Sequence, residues 1–390
     1  AQNDMDAFRF SQSDYEGTAR FMGAGGAFSA VGAEFSAINV NPAAIGVYKK
    51  SEITFTPIVV SIYNDDATYM QRGSSTSNSK YSLTNVGAVF HFGLKDAAGW
   101  NSFQVGFGYN RTYDYNNIYR IEGFSNKSSR MDQIVDNLNS QLHPSMSGIN
   151  ELAFKTFMID IDENTGNYFS PYYHKSLNQK MVVESSGGND EINISFGGNY
   201  NDKLFIGACL GVPVITYNEK TRFSETDPLK DTYADYYDIY ESLRVRTTGI
   251  NFKVGVIYQP IDFLRIGVAF HTPTYYEKVK NTYIQEMNTH YWTGDESGIF
   301  THDYNMNYTL TTPLRAIGSV AFLIKKRAFV SAEYEYSGYN IDTTIWDIEK
   351  YKKEVYRANK QCYNGKRSFT YMGVCSWTIQ RNGFCSLRCR

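Results

Sequence analysis

Few residues of this chain are spaced for bond-making chemistry, and those that stand out point to binding instead. Asp160-Ile161-Asp162-Glu163-Asn164-Thr165-Gly166 sets out oxygen ligands as a calcium loop does. Its glycine comes one position late, however, and Pro171 stands where a bidentate glutamate would close the shell. The 6 histidines are scattered. His91 and His271 fall at the ends of patterned segments, as solvated lumen or rim residues rather than haem ligands. Neither His-Glu-x-x-His nor Gly-x-Ser-x-Gly occurs, so the residues of a zinc protease or a serine hydrolase are missing. Gly17-Thr18-Ala19-Arg20-Phe21-Met22-Gly23-Ala24-Gly25-Gly26-Ala27-Phe28 invites a phosphate-cradling reading, yet no strand precedes it and no Gly-Lys-Ser/Thr follows. The expectation is a chain with no enzymatic activity, no metal and no cofactor. Three cations at inward strand positions, Lys253, Arg265 and Arg315, would suit a carboxylate head group, or would balance Glu333 and Glu335.

The segments that carry these residues alternate in polarity. In Phe103, Val105, Phe107 and Tyr109 against Gln104, Gly106, Gly108 and Asn110, one face is apolar and aromatic and the other small and polar. Side chains along a strand point to opposite faces with a period of two. The same pattern predicts nine strands, at 53–63, 81–92, 102–113, 191–200, 203–217, 243–258, 263–271, 305–324 and 328–336. Short turns at 93–101, 201–202, 259–262 and 325–327 alternate strictly with long loops at 64–80, 114–190, 218–242 and 272–304. A transmembrane antiparallel β-barrel has this alternation of turns and loops, with its apolar face turned to lipid and its polar face to the lumen. The lipid face then includes Val105, Phe107, Ile194, Phe196, Leu204, Ile206, Phe252, Val254, Ile266, Val268, Val330 and Ala332.

Composition agrees. Aromatics make up 16% of the chain, with 32 Tyr and 25 Phe, and many predicted strands end in tyrosine, a residue that favours the membrane–water boundary. Mean hydropathy is −0.42, and the absence of any apolar run of about 18 or more residues excludes helical membrane spans. A net charge of −2 gives no electrostatic footprint for nucleic acid. The opening Ala1-Gln2-Asn3-Asp4 reads as a mature end after removal of a signal peptide. Of the 5 cysteines, only Cys209 lies in the patterned region. Cys362, Cys375, Cys385 and Cys389 crowd the end of the chain, where alternation is lost. A disulfide-linked tail, a metal site and an out-of-frame peptide are the three readings. The spacing of Cys385 and Cys389 without a histidine is poor for zinc, and the abrupt change near Asn359 favours the out-of-frame reading.

Residues 1–50 do not look like strands. Asn41-Pro42-Ala43 predicts a short helix with Asn41 as its cap and Pro42 in its first position. Taken with the small-residue run from Gly17 to Phe28 and the stretch Asn39-Val40-Asn41-Pro42-Ala43-Ala44-Ile45-Gly46, this part of the chain resembles the FadL/TodX-type outer-membrane transporters of long-chain fatty acids and aromatic hydrocarbons, in a Bacteroidetes-like form. The resemblance is strongest over residues 10–60. It implies a fourteen-stranded barrel plugged by an amino-terminal hatch, with ligands leaving sideways at a kinked third strand. Residues 1–47 are then the hatch, Asn41, Pro42 and Ala43 its motif, 48–358 the barrel and 359–390 an aberrant tail. Gly106 and Gly108 would permit the bend of a lateral gate in the third strand, although ordinary packing explains them equally. Against the family, the chain offers nine strands and lacks a final aromatic strand, so it reads as truncated or frameshifted.

The expected function is outer-membrane uptake of hydrophobic small molecules, long-chain fatty acids first, with Phe21, Met22, Phe28 and Phe35 of the hatch as tail contacts. The alternatives are a haemin receptor and a scaffold for protein secretion, for which the loop tyrosines Tyr233, Tyr236, Tyr237 and Tyr240 would suit docking. Expected partners are the hydrophobic ligand, outer-membrane lipid and lipopolysaccharide, with the protein a monomer. Loop 114–190 is too long to be bare. Ser129 and Asp132 predict a capped helix carrying Met131, Ile134, Val135, Leu138 and Leu142 on one face. A second helix carries Ile149, Leu152, Ala153 and Phe157.

Overall fold

The computed structural model describes residues 4–338, except 13, 15, 70–71, 142–145, 298–299 and 325–327, together with 376–379 and 385–389. The chain is all-β, and among the described residues its strands form a 14-stranded sheet and a separate two-stranded one. Two short helices, α1 (Asp4–Ser11) and α2 (Ala19–Gly23), precede it. The wall then begins with β1 (Glu52–Tyr69), β2 (Arg72–Ala97), β3 (Trp100–Asp114) and β4 (Asn117–Ser125). Helices α3 (Arg130–Asn139) and α4 (Ile149–Lys155) and the small pair β5 (Asp160–Ile161) and β6 (Tyr168–Phe169) cap one end. The wall resumes with β7 (Leu177–Tyr200), β8 (Leu204–Thr226), β9 (Ala234–Ile261), β10 (Leu264–His271), β11 (Tyr275–Tyr291), β12 (Phe300–Thr311), β13 (Arg315–Ile324) and β14 (Ala328–Ser337). Near the carboxyl end, β15 (Ser376–Ile379) pairs with β16 (Cys385–Cys389), which lies parallel to β14 in an otherwise antiparallel sheet. Cys362 and Cys375 fall outside the described residues.

Strand phase follows the alternation. Phe107 is 47% exposed while its neighbours Gly106 and Gln104 are buried. Phe196, Ile206, Phe252, Val254, Ile266, Val268 and Val330 likewise face outward, and Gln104, Asn193, Ser195, Lys253 and Ser331 face inward. The sheet is curved enough to wrap its own amino-terminal segment. Thr84 of β2 donates to the Gly17 carbonyl at 3.0 Å, and Ser331 of β14 donates to the Ala27 carbonyl at 2.6 Å, so strands near opposite ends of the sheet grip one short stretch of chain. Among the described residues β1 pairs with β2 alone.

Strand lengths depart from expectation. The stretches 64–80 and 218–242, expected as loops, are mostly continuations of β1, β2, β8 and β9. Much of 272–304 is β11 and part of β12, and the single expected strand 305–324 is two, the end of β12 and all of β13. Strands β7, β8 and β9 run for 24, 23 and 28 residues, whereas a tilted strand needs about 9–11 to cross a bilayer. Strands of this length project at the capped end beyond what a bilayer crossing needs, and there the apolar alternation lapses.

One seam crosses the wall between its two halves. β10 passes into β11 through Thr272-Pro273-Thr274, and β12 into β13 through Thr312-Pro313-Leu314. His271 pairs with Arg315 on one side of the seam and Tyr275 with Thr311 on the other, in one register, so the two prolines stand opposite each other. Proline has no N–H for the ladder, and threonines fill in. Thr274 N donates to Thr312 Oγ1 and Thr312 N to the Thr274 carbonyl, both at 3.0 Å. Phe252 N donates to Thr272 Oγ1 at 3.0 Å. Against β9 the register steps by one residue here, from His271–Lys253 to Tyr275–Ile250.

Candidate functional site

The amino-terminal segment lies against a floor of strand glycines. Asn41 caps the 3-10 helix Pro42–Val47, its Oδ1 accepting from Ala43 N at 3.0 Å, with Pro42 in the first turn. Its Nδ2 donates to the Ser29 carbonyl at 3.0 Å, which ties the motif back to the preceding loop. A side chain at Gly255 would collide with the Asn41 amide, and one at Gly207 with the Pro42 and Ala43 backbone. A Cβ at Gly87 or Gly108 would enter the Phe35 ring, and one at Gly106 would lie 2.8 Å from Ile45 Cδ1. These inward positions are bare because the segment fills them. Gly106 and Gly108 thus have the packing role that was open to them beside a bend. The β2–β3 and β3–β7 ladders run through both without a register shift, and the shifts on the β7 side fall at Trp100/Ser102 and Arg111/Tyr113.

The residues expected to touch a ligand divide into two groups. Phe21, Phe28 and Phe35 are buried in one core cluster with Val89, Ala269, Ile317 and Phe329. Phe28 meets Phe329 edge-on at 5.1 Å between centroids. They are packing residues in this state of the molecule, while Met22 is 39% exposed. Of the three cations, Lys253 is bound to Glu191 at 2.5 Å, each side chain 6% exposed. Arg315 lies 3.6 Å from Glu335 and donates to the Ser11 carbonyl at 3.0 Å. Arg265 donates to Gln259 Oε1 at 2.9 Å and to the Val31 carbonyl. Among the described residues Arg315 and Glu335 thus form an expected balancing pair. Glu333 instead accepts from the Ser29 hydroxyl of the amino-terminal segment. Glu191 went unnoticed because 62 residues separate it from Lys253, and only strand register brings them together.

Lys253, Arg315 and Phe21 share a cavity of about 100 Å³ between the amino-terminal segment and the wall. Arg265, Met22, Phe28 and Phe35 do not line it. The lining is polar and charged, with Asp14, Glu16, Arg111, Asn189, Glu191, Asn251, His271 and Glu335 around it, and Thr272, Thr274, Thr312 and Pro313 place it against the seam. His271 Nε2 faces the Val40 carbonyl at 2.8 Å and so carries the proton there, which keeps that nitrogen from a haem iron. Glu16 is the unexpected member. Burial, then the charges of Asp114, Asp14 and Asp190 set against Arg111, push its carboxyl up to about 7.

At the capped end, Ser129 caps α3 in a full capping box with Asp132. Met131, Ile134, Val135 and Leu138 join Leu152, Ala153, Met158 and Ile159 in a buried cluster. Leu142 lies outside the described residues. Phe157 is not part of the packed face, because α4 ends at Lys155 and the chain turns through positive φ at Phe157, leaving its ring exposed. A single buried carboxylate fastens this cap to the wall. Glu225 of β8 accepts from Ser129 Oγ at 2.5 Å, Arg130 N at 2.9 Å, Gln179 Nε2 at 2.7 Å and the Tyr237 hydroxyl. Tyr237, expected as a docking residue, is therefore fully buried, while Tyr233 is exposed.

No protein-family model matches the chain, and no curated protein does. Among solved structures the chain is similar to the TodX deltaS2S3 mutant monoaromatic hydrocarbon channel, with 12% sequence identity and a TM-score of 0.41. The alignment covers 78% of this chain and 66% of that channel's length.

Proposed function

We propose that the chain is an outer-membrane barrel, plugged by residues 1–47, that takes up hydrophobic small molecules. One observation carries this reading: a sheet whose outward face is apolar and whose inward face is polar is wrapped around its own amino-terminal segment. A water-soluble protein would bury that apolar face. Here it stays outside, where lipid would cover it. With the amino-terminal segment packed against the wall, passage needs that segment to move, and Phe28 would then part from Phe329. Long-chain fatty acids are the first substrate class to test, since each CH₂ buried against the freed aromatics contributes about 0.8 kcal/mol. A carboxylate head would have to displace Glu191 from Lys253 or Glu335 from Arg315. The deciding experiment measures cellular uptake of a labelled long-chain fatty acid, and of a labelled neutral hydrocarbon, with and without the gene. Gene-dependent uptake of the acid supports the full reading, and uptake of the hydrocarbon alone keeps the channel but removes the acid. Equal uptake of both with and without the gene overturns it.

A second reading, docking of a partner protein, is favoured by the exposed rings of Phe154, Phe157 and Phe169 on the cap. Capture of a stoichiometric protein partner by the intact chain would support it.

A further inference from the structure

We propose that Arg244, Arg246 and Lys280, on the outward face of the wall, hold the phosphate headgroup of a membrane lipid whose acyl chains lie on the apolar band beside them. The inference rests on the lipid-facing wall and names where that wall holds a particular lipid.

The apolar band sets the depth. Along β9 the outward residues Ile250, Phe252, Val254, Val256 and Tyr258 are all exposed, a stretch close to the roughly 9–11 residues with which a strand crosses a bilayer. Tyrosines mark its ends. Tyr258 stands at one, and at the other the exposed Tyr275 of β11 pairs with Ile250. Tyrosine settles at the membrane–water boundary. Toward the capped end the next outward residues of β9 are Thr248, Arg246 and Arg244. Both arginines therefore stand at headgroup depth.

Register concentrates the charge. Lys280 pairs with Arg246, cation against cation. Cβ atoms of such opposed residues are about 4.5–5.5 Å apart, and like charges placed so destabilise a sheet. The other registered neighbours of the three are Thr216 and Asn218 of β8, Thr282 of β11 and Asn307 of β12, which carry hydroxyls and amides but no carboxylate. Glu277 and Lys278, both exposed in the irregularity between Tyr276 and Lys280, add no net charge. Arg244, Arg246 and Lys280 are exposed, and among the described residues none of them makes an ion pair or a side-chain hydrogen bond. The inward cations Arg111, Lys253 and Arg315, by contrast, are each paired with a carboxylate.

An anion seated among the three turns repulsion into attraction. Phosphate fits, because its oxygens accept paired N–H groups from a guanidinium, and the hydroxyls and amides alongside add donors. A phosphate that carries acyl chains also covers the apolar surface of Ile250 and Phe252, which a free ion leaves bare.

The test uses the full chain in neutral maltoside micelles, with native mass spectrometry counting bound phosphatidic acid or phosphatidylcholine. Phosphatidic acid is expected to bind about tenfold more tightly than phosphatidylcholine, whose choline cancels the phosphate charge. Arg244→Gln with Arg246→Gln and Lys280→Gln is expected to remove that preference and leave phosphatidylcholine binding as it was. Without lipid this variant should unfold no earlier than the unaltered chain, since it loses a repulsion and no contact. Lys49→Gln with Lys50→Gln and Lys203→Gln removes the same charge from exposed positions at the other end of the wall, and should keep the preference. Equal loss in both variants would reduce the effect to net charge and overturn the site. Equal binding of the two lipids would overturn it as well, as would displacement of phosphatidic acid by inorganic phosphate at equal concentration, which would make the ligand a free ion. If neither lipid binds, the lipid-facing wall falls with this inference; if only the preference is missing, the inference falls and the wall stands.

Discussion

Replacing Gly87 with Ala tests whether the strand glycines exist to receive the amino-terminal segment. The three atoms nearest a Cβ at Gly87 all belong to the Phe35 ring, and all lie far inside the roughly 3.5–4.0 Å at which carbons pack. The Gly87 backbone is ordinary extended strand, so alanine meets no conformational penalty of its own. The whole cost is overpacking, about 1–3 kcal/mol. Phe35→Ala alone removes a fully buried ring and should cost about 3–5 kcal/mol. With the ring gone, Gly87→Ala should be neutral or stabilise by about 0.4–1 kcal/mol, through the stiffer unfolded chain. The double-mutant cycle should therefore give a coupling of about 1–4 kcal/mol, above the roughly 0.5 kcal/mol expected of independent sites. Denaturant unfolding in micelles, with limited proteolysis between Gly17 and Tyr48 as a second readout, supplies the four stabilities. If Gly87→Ala costs the same with and without Phe35, the packing argument is wrong.

Other outcomes follow from the same geometry. Glu191→Gln should cost about 3–5 kcal/mol by stranding the Lys253 ammonium in the interior. Adding Lys253→Met should recover most of that loss, and unfolding of the single and double variants compares them. The Glu16 carboxyl, raised from 4.5 to about 7 by burial and its acidic neighbours, is protonated more readily in the folded chain than in the unfolded one. Stability of the amino-terminal segment should be greatest below about pH 4.5 and fall as pH rises through about 7. Protease protection of that segment across this window should flatten in Glu16→Gln, and an unchanged slope would assign the effect to another group. Val268→Arg on the outward face should lower folding stability in lipid vesicles by about 2–4 kcal/mol if the position lies near mid-bilayer. Measurement in vesicles against micelles checks this, and equal stability in both would count against a lipid-facing wall.

The wall was legible wherever one face is apolar, because a period of two survives any uncertainty about strand ends. It became illegible beyond that band. Arg72 to Lys80, rich in serine, continues β2 with no apolar stripe to betray it. Thr272-Pro273-Thr274 looked like the start of a loop because proline interrupts a strand, although β11 follows at once. The α3 cap was readable since Ser129 and Asp132 are local. Lys253 and Arg315 were readable as inward cations but not as occupied ones, since Glu191 becomes a neighbour only through register and Ser11 only through the fold of the amino-terminal segment. The glycine floor did leave a signal, in glycines at inward positions of successive strands. In β3 the pattern leaves a bend and ordinary packing equally open, and the contacts with Phe35 and Ile45 supply the packing.

The Pro273–Pro313 seam has a consequence for how such a wall can change over generations. Register normally passes from strand to strand without loss, so a residue gained in one hairpin reorients every side chain beyond it. Here the one-residue step against β9 is absorbed at the seam, between His271 and Tyr275. Residues inserted in pairs into the β11–β12 hairpin lengthen the projecting end and leave the His271–Arg315 pairing as it was. A change of length in the projecting half can thus leave the register over the glycine floor and the cavity as it is.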